Sequence, residues 1–141
     1  MDLSYVITPF LAWLVAGSLK FLINSIRTGR LAFGEIGYGG LPSNHSAVVS
    51  STAALIAFRE GIGHPTFGVA VTLAFIVMLD ANSLRLQIGK HAEAINTIAR
   101  DQQDTLPLRE RIGHARVEII AGILVGGAVG WMVALMPLSV W

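Results

Sequence analysis

The chain contains no cysteine. That excludes disulfides, thiolate metal ligands and a cysteine nucleophile, and it leaves the redox compartment undetermined. Charge is scarce as well. Asp, Glu, Lys and Arg make up 13% of the residues, about half the share of an ordinary soluble domain. An excess of one sign is also missing: the formal net charge of +1 provides no general basic surface, so bulk nucleic-acid binding has no electrostatic basis. The four histidines include no His-x3-His or His-Glu-x2-His string, so the familiar zinc spacings are absent. Composition alone leaves a histidine–carboxylate metal site open. What the chain has in quantity is apolar surface, with 53% hydrophobic residues. Its 141 residues make one domain, residues 1–141, with no length for a second core, and the expectation is a membrane protein.

Residues 3–19 are almost wholly apolar, and the helical pattern runs on through Phe21, Leu22, Ile23 and Ile26 to Arg27. About 20 residues cross a hydrocarbon core of about 30 Å, so this first segment suffices. It follows Met1-Asp2 without a basic n-region or a small-residue cleavage site, so a retained span is expected and not a signal peptide. Residues 28–44 carry Gly29, Gly34, Gly37, Gly39 and Gly40 and end in Pro42-Ser43-Asn44, which predicts a glycine-rich loop or re-entrant stretch. The runs 45–58 and 65–79 are shorter and suit either spans or core helices; they are taken as spans. Arg59 and Glu60 snorkel or pair at the end of the former, and Gly61, Gly63 and Pro65 make the turn between the two.

Over residues 83–100, Leu84, Ile88, Ala92, Ile95 and Ile98 recur at helical spacing, with Arg85, Lys90, Glu93, Asn96 and Arg100 on other faces. That predicts an amphipathic helix lying at the interface or packed on the bundle, broken by the polar stretch Asp101–Pro107. A last apolar run from Val117 to about Met136 crosses again. Its Gly122-x3-Gly126-x3-Gly130 series lets a helix approach closely, either within the chain or in a homodimer. The expected architecture is all-α: an integral membrane helical bundle of about four transmembrane helices, an amphipathic interfacial helix and a glycine-rich loop.

The order of crossings then gathers the polar residues. With four spans, Lys20, Arg27, His45, Asp80, Arg85, His114 and Glu118 all fall at one membrane face. Every Lys and Arg except Arg59 falls there too, and the positive-inside rule makes that face cytoplasmic.

His114 and Glu118 are four apart, so on a helix they share a face. Such a carboxylate fixes the imidazole tautomer and supports charge on the ring; an ordinary i,i+4 contact near a helix start is the alternative. In Pro42-Ser43-Asn44-His45, Ser43 or Asn44 reads as an N-cap, with backbone amides behind it that suit an anion; a plain cap beside an exposed histidine is the alternative. Lys20 sits inside an apolar helix, where a cation costs a few kcal/mol unless it snorkels or is paired. Arg27 lies two turns on, near the same face. Asp80 is expected to pair with Lys20 or Arg85. His64 is assigned no role, and His91, near the apolar face of the amphipathic helix, reads as structural.

These strings resemble the phosphatidic-acid phosphatase type 2/vanadium haloperoxidase superfamily, whose pattern is K-x6-R-P, then P-S-G-H, then S-R-x5-H-x3-D. Lys20-x6-Arg27 follows the first with Thr28 for proline. Pro42-Ser43-Asn44-His45 follows the second with Asn44 for glycine. His114-x3-Glu118 follows the third with glutamate for aspartate, and Leu108 stands where its arginine belongs. The longer string from Gly39 to Ala47, with Asp80-Ala81-Asn82-Ser83-Leu84-Arg85, Gly89-Lys90 and Asn96, is similar to the divergent PAP2 branch. The resemblance runs from Lys20 to about Gly130.

It implies a metal-independent lipid phosphate phosphatase without cofactors, acting on phosphatidate, phosphatidylglycerophosphate or a polyprenyl diphosphate. His114 would be the nucleophile, Glu118 its orienting partner and His45 the acid. Lys20, Arg27, Ser43, Asn44 and a third arginine, Arg85 ahead of Arg109, would hold the phosphate; Asp80 would support them. The implied surroundings are membrane lipids of an inner or plasma membrane, with the site on the cytoplasmic side. Two other readings stay open: a non-catalytic relative that binds phosphate or lipid headgroups, and a small transport subunit with Lys20, Asp80 and Glu118 as an ion relay.

Overall fold

The computed structural model describes residues 3–31, 40–99, 107–110 and 113–137. Part of the expected glycine-rich loop, with Gly34, Gly37 and Gly39, and residues 100–106, with most of the expected polar break, lie outside the described residues, as does Arg111. Among the described residues every regular element is helical: α1 (Ser4–Thr28), α2 (Asn44–Arg59), α3 (Pro65–Leu79), a π-turn (Asp80–Leu84), α4 (Arg85–Ile98) and α5 (Arg116–Ala134).

The residues that α1 buries are Ser4, Thr8, Ala12, Ala16, Lys20 and Asn24. They recur every four positions, one narrow stripe of small and polar side chains. Phe10, Trp13, Leu14, Leu22 and Ile26 point outward and are exposed. The same inversion holds for Phe75 and Ile76 on α3 and for Leu124 and Trp131 on α5. Small residues inside and large apolar residues outside suit a bundle surrounded by lipid, where close backbone packing replaces hydrophobic burial. The chain is an integral membrane protein of helical-bundle type.

Helix α2 is the centre, packing against α1, α3 and α5. It starts at Ser43, whose Oγ accepts the Ser46 amide at 3.4 Å. Against it lies the glycine stripe of α5. A Cβ added at Gly122 would stand 2.4 Å from the Ser43 carbonyl oxygen, and one at Gly130 would stand 2.4 Å from that of Ser51. The stripe is therefore occupied within the chain, and a homodimer would have to use another face. Beyond the glycines, Val129 and Val133 join Ala12 and Leu55 in the apolar core.

Contacts fix the directions. Gly17 lies near Asn44, and Gly40 near Lys20 and Asn24, so the second half of α1 meets the start of α2. At the far end, Arg59 closes α2 by donating to Ser4 Oγ at 2.6 Å and to the carbonyls of Val133 and Met136, each at 3.2 Å. Tyr5 donates to Glu60 there. Of the two expected fates of Arg59 and Glu60, snorkelling or pairing, it is pairing that is seen, and Arg59 ties the start of α1 to the end of α5. Helices α2 and α5 run parallel, and α1 runs against both.

Among the described residues three helices are long and apolar enough to cross a membrane: Ser4–Thr28, Pro65–Ile98 and Arg116–Ala134. At 16 residues, α2 is shorter than that set. The second of the three corrects an expectation. Instead of a break between the third apolar run and the amphipathic helix, α3, the π-turn and α4 form one helix of 34 residues, about 51 Å long and longer than the membrane core. Asp80 and Ser83 look like breakers, yet Ser83 turns its hydroxyl onto the Leu79 carbonyl at 2.7 Å and the backbone continues. Within α4 only Gly89 and Ala92 are buried.

Candidate functional site

The site begins at the π-turn. A π-turn widens the helix by one residue, so residues five apart meet where an α-helix would hold them on different faces. Arg85 Nε accordingly donates to Asp80 Oδ2 at 3.4 Å. The chain entering α5 docks on the same turn. The His114 amide donates to the Ala81 carbonyl at 3.1 Å. Gly113, at φ 118°, passes so near the α4 backbone that a Cβ would stand 3.3 Å from the Leu86 nitrogen.

His114 therefore lies just outside α5, one residue before its cap at Ala115, and not on a helical face as the four-residue spacing suggested. It still meets Glu118. The carboxylate, in the first turn of α5, folds back onto the cap, where Oε2 lies 2.8 Å from His114 Nδ1 and accepts the Ala115 amide at 3.2 Å. This is the glutamate half of a capping box, with an imidazole added as a second donor. The His114 side chain is only 7% exposed. With Nδ1 directed at Glu118, Nε2 is the ring nitrogen left for other chemistry.

His45 stands in the first turn of α2. Its ring centroid is 6.0 Å from that of His114, with the planes at 58°. Arg85 Nη2 donates to His45 Nε2 at 3.2 Å. A guanidinium has no acceptor, so His45 Nε2 must be the acceptor and the neutral ring carries its proton on Nδ1. Arg85 thus holds Asp80 on one side and His45 on the other.

Lys20 reaches the same end from α1. It is 8% exposed and acts electrostatically on Glu118 and on His45. Ser43 is buried, accepts from Ser46 Oγ at 3.1 Å, and donates its amide to the Glu118 carbonyl at 2.9 Å. Asn44 Oδ1 is buried without a hydrogen-bond partner among the described residues. Arg27 is exposed at the end of α1. Arg109 is also exposed, on a segment gripped by α4: the Asn96 side chain accepts the Leu108 amide and donates to the Leu108 carbonyl, each at 2.7 Å, and donates to Glu110 at 2.9 Å. Of the two arginines considered for the third cation, Arg85 is the one in contact with His45.

Sequence reasoning missed the surroundings of His114. A cleft of about 440 Å³ opens beside it, lined by Asn82, Leu86, Glu110, Gly113, His114, Ala115 and Arg116. The available signal was Gly113-His114, because a glycine before a functional histidine marks backbone drawn close to a neighbour. Among the described residues no group of three or more His, Asp or Glu side chains is arranged to hold a metal ion.

The sequence profile of the divergent PAP2 family matches residues 1–129. One curated relative, from Bacillus subtilis (strain 168), is described as the uncharacterized membrane protein YuiD. It is 30% identical over 104 residues, a match covering 62% of this chain and 66% of the relative. The match thus spans just under two thirds of that protein's length. No solved structure matches the chain.

Proposed function

The chain belongs to the divergent PAP2 family, and on that premise we propose that it hydrolyses a phosphomonoester or diphosphate on a lipid. The observation that carries this reading is the pairing of the two imidazoles. Their centroids are 6.0 Å apart, a gap suited to one tetrahedral phosphoryl group, and Glu118 engages Nδ1 of His114. His114 Nε2 attacks phosphorus and the bond to the leaving alkoxide or phosphate breaks. His45 gives that oxygen its proton, leaving a phosphohistidine. In the second half, His45 takes a proton from water, the hydroxide displaces the imidazole, and phosphate departs. Glu118 holds the ring and offsets the charge it gains.

Lys20 and Arg85 hold the equatorial oxygens and offset charge in the transition state. Ser43 and the amides at the start of α2 add hydrogen bonds, while Arg27 and Arg109 guide the anion from the outer edge. The lipid tail stays in the bilayer. Phosphatidate, phosphatidylglycerophosphate and polyprenyl diphosphates share the required chemistry. The positive-inside count supports a site facing the cytoplasm, and an inner or plasma membrane is the proposed location.

A second reading has its own support. Arg85 occupies His45 Nε2, the nitrogen an acid would need protonated, which favours a protein that binds phosphate or headgroups without turnover. Phosphate release in mixed micelles separates the two. The enzyme reading expects release from at least one of these lipids by the wild type, and none from folded His114→Ala or His45→Ala. A wild type that binds vanadate yet releases nothing from any of them would be a binder.

A further inference from the structure

The contacts of Arg85 bear on how the acid of the proposed reaction is armed. Its Nη2 donates to His45 Nε2 at 3.2 Å, and its Nε donates to Asp80 Oδ2 at 3.4 Å. A guanidinium only donates. While Arg85 sits there, His45 Nε2 carries no proton and cannot protonate a leaving oxygen. A phosphoryl group arriving between the imidazoles offers Arg85 acceptors of full negative charge, which form stronger, bidentate hydrogen bonds than a neutral ring nitrogen does.

Resting on the phosphatase reading, we infer that Arg85 is a two-position latch: the contact with His45 Nε2 is one position, and a phosphoryl group, once bound, draws the guanidinium to the other, so that His45 takes up a proton only when substrate is present. The proton comes from solvent, one for each anion bound, and no bond other than N–H forms. Asp80 is the positioning residue. It keeps its grip on Nε while the Nη end swings, and the π-turn makes this possible by bringing residues 80 and 85 together. The other charges facing His45 are Lys20 from α1 and His114 from the approach to α5, the latter backed by Glu118. A bound anion offsets the positive charge of Lys20 and Arg85, so that a protonated His45 ring is tolerated beside them while His114 keeps the free Nε2 it needs for attack.

The test is nitrogen-15 NMR of the histidine rings in the full chain in detergent, with orthovanadate as the probe and His45→Gln used to assign the signal. Without vanadate, His45 Nε2 is expected to show the shift of an unprotonated acceptor. At saturation both ring nitrogens should read as protonated, with about one proton taken up per anion in calorimetry run in two buffers. Arg85→Lys should abolish the vanadate-dependent change. Asp80→Asn should keep it while weakening vanadate about threefold, as for a partly exposed ion pair. If Arg85→Lys does not fold, the wild-type titration alone decides. A His45 Nε2 already protonated in the empty site overturns the latch. So does bound vanadate that leaves His45 unchanged, and in that case the phosphatase reading still stands. A wild type that does not bind vanadate overturns both.

Discussion

Gly126 of α5 rides on the backbone of Ala47 in α2, so closely that a Cβ on the glycine would stand 2.3 Å from the Ala47 carbonyl oxygen. Neither backbone has a flexible side-chain end to move aside. Gly126→Ala is therefore expected to push the parallel α2–α5 pair apart and destabilise the bundle by about 1–3 kcal/mol, the usual range for overpacking. Thermal unfolding in detergent checks it. Gly127 has nothing within 4 Å of its Cβ position, so Gly127→Ala should leave the midpoint unchanged or raise it. Equal losses at both positions would mean that helix contact is not the cause.

Glu118 engages His114 and the Ala115 amide through the same oxygen. Glutamine keeps an oxygen for the cap but loses the charge that supports a positive imidazole. On the proposed phosphatase reading, Glu118→Gln should therefore lower turnover about a hundredfold while changing KM little. The measurement is steady-state phosphate release from a lipid phosphate. Unchanged turnover would remove the orienting role.

Arg59 ties Ser4, Val133 and Met136 at the end of the bundle remote from His45 and His114. Arg59→Met should cost about 1–3 kcal/mol of stability through lost charge-assisted hydrogen bonds, yet leave vanadate affinity as it was. Paired unfolding and binding measurements separate the two effects. A large fall in affinity at full folding would show that the two ends are coupled.

Asn96 grips the chain at Leu108 through two hydrogen bonds of 2.7 Å. Asn96→Ala should free that segment, and hydrogen exchange at the Leu108 amide should quicken about tenfold, as for the loss of one local anchor. Amides in the middle of α5 should keep their protection.

Much of this was legible in the sequence, because local chemistry writes it there. The apolar run ending at Arg27, the Ser43 cap and the segment opening near Val117 translate into α1, α2 and α5 within a residue or two. The glycine series announced close packing, though spacing did not name its partner; the carbonyls of Ser43, Ala47 and Ser51 do. The π-turn was not legible. Five residues are too few to carry a period, and Asp80-Ala81-Asn82-Ser83 has the composition of a break. Arg59 was read from its neighbours in sequence, whereas its partners lie 55 and more positions away. For the candidate site, membrane parity brought Asp80, Arg85, His45 and His114 to one end, but the grip of Arg85 on His45 depends on the widened turn and has no sequence signature.

At 16 residues, α2 measures about 24 Å, several ångströms less than the hydrocarbon thickness of a typical bilayer. A short central element enclosed by longer ones leaves a recess over the place where α2 starts, into which water or headgroups can dip. On the proposed reading, such a dimple would bring the headgroup phosphate of a lipid down toward His45 while its chains stay in oil. Thick, sterol-stiffened membranes would resist that dimple, so bilayer thickness becomes a physical control on access to this end of the bundle.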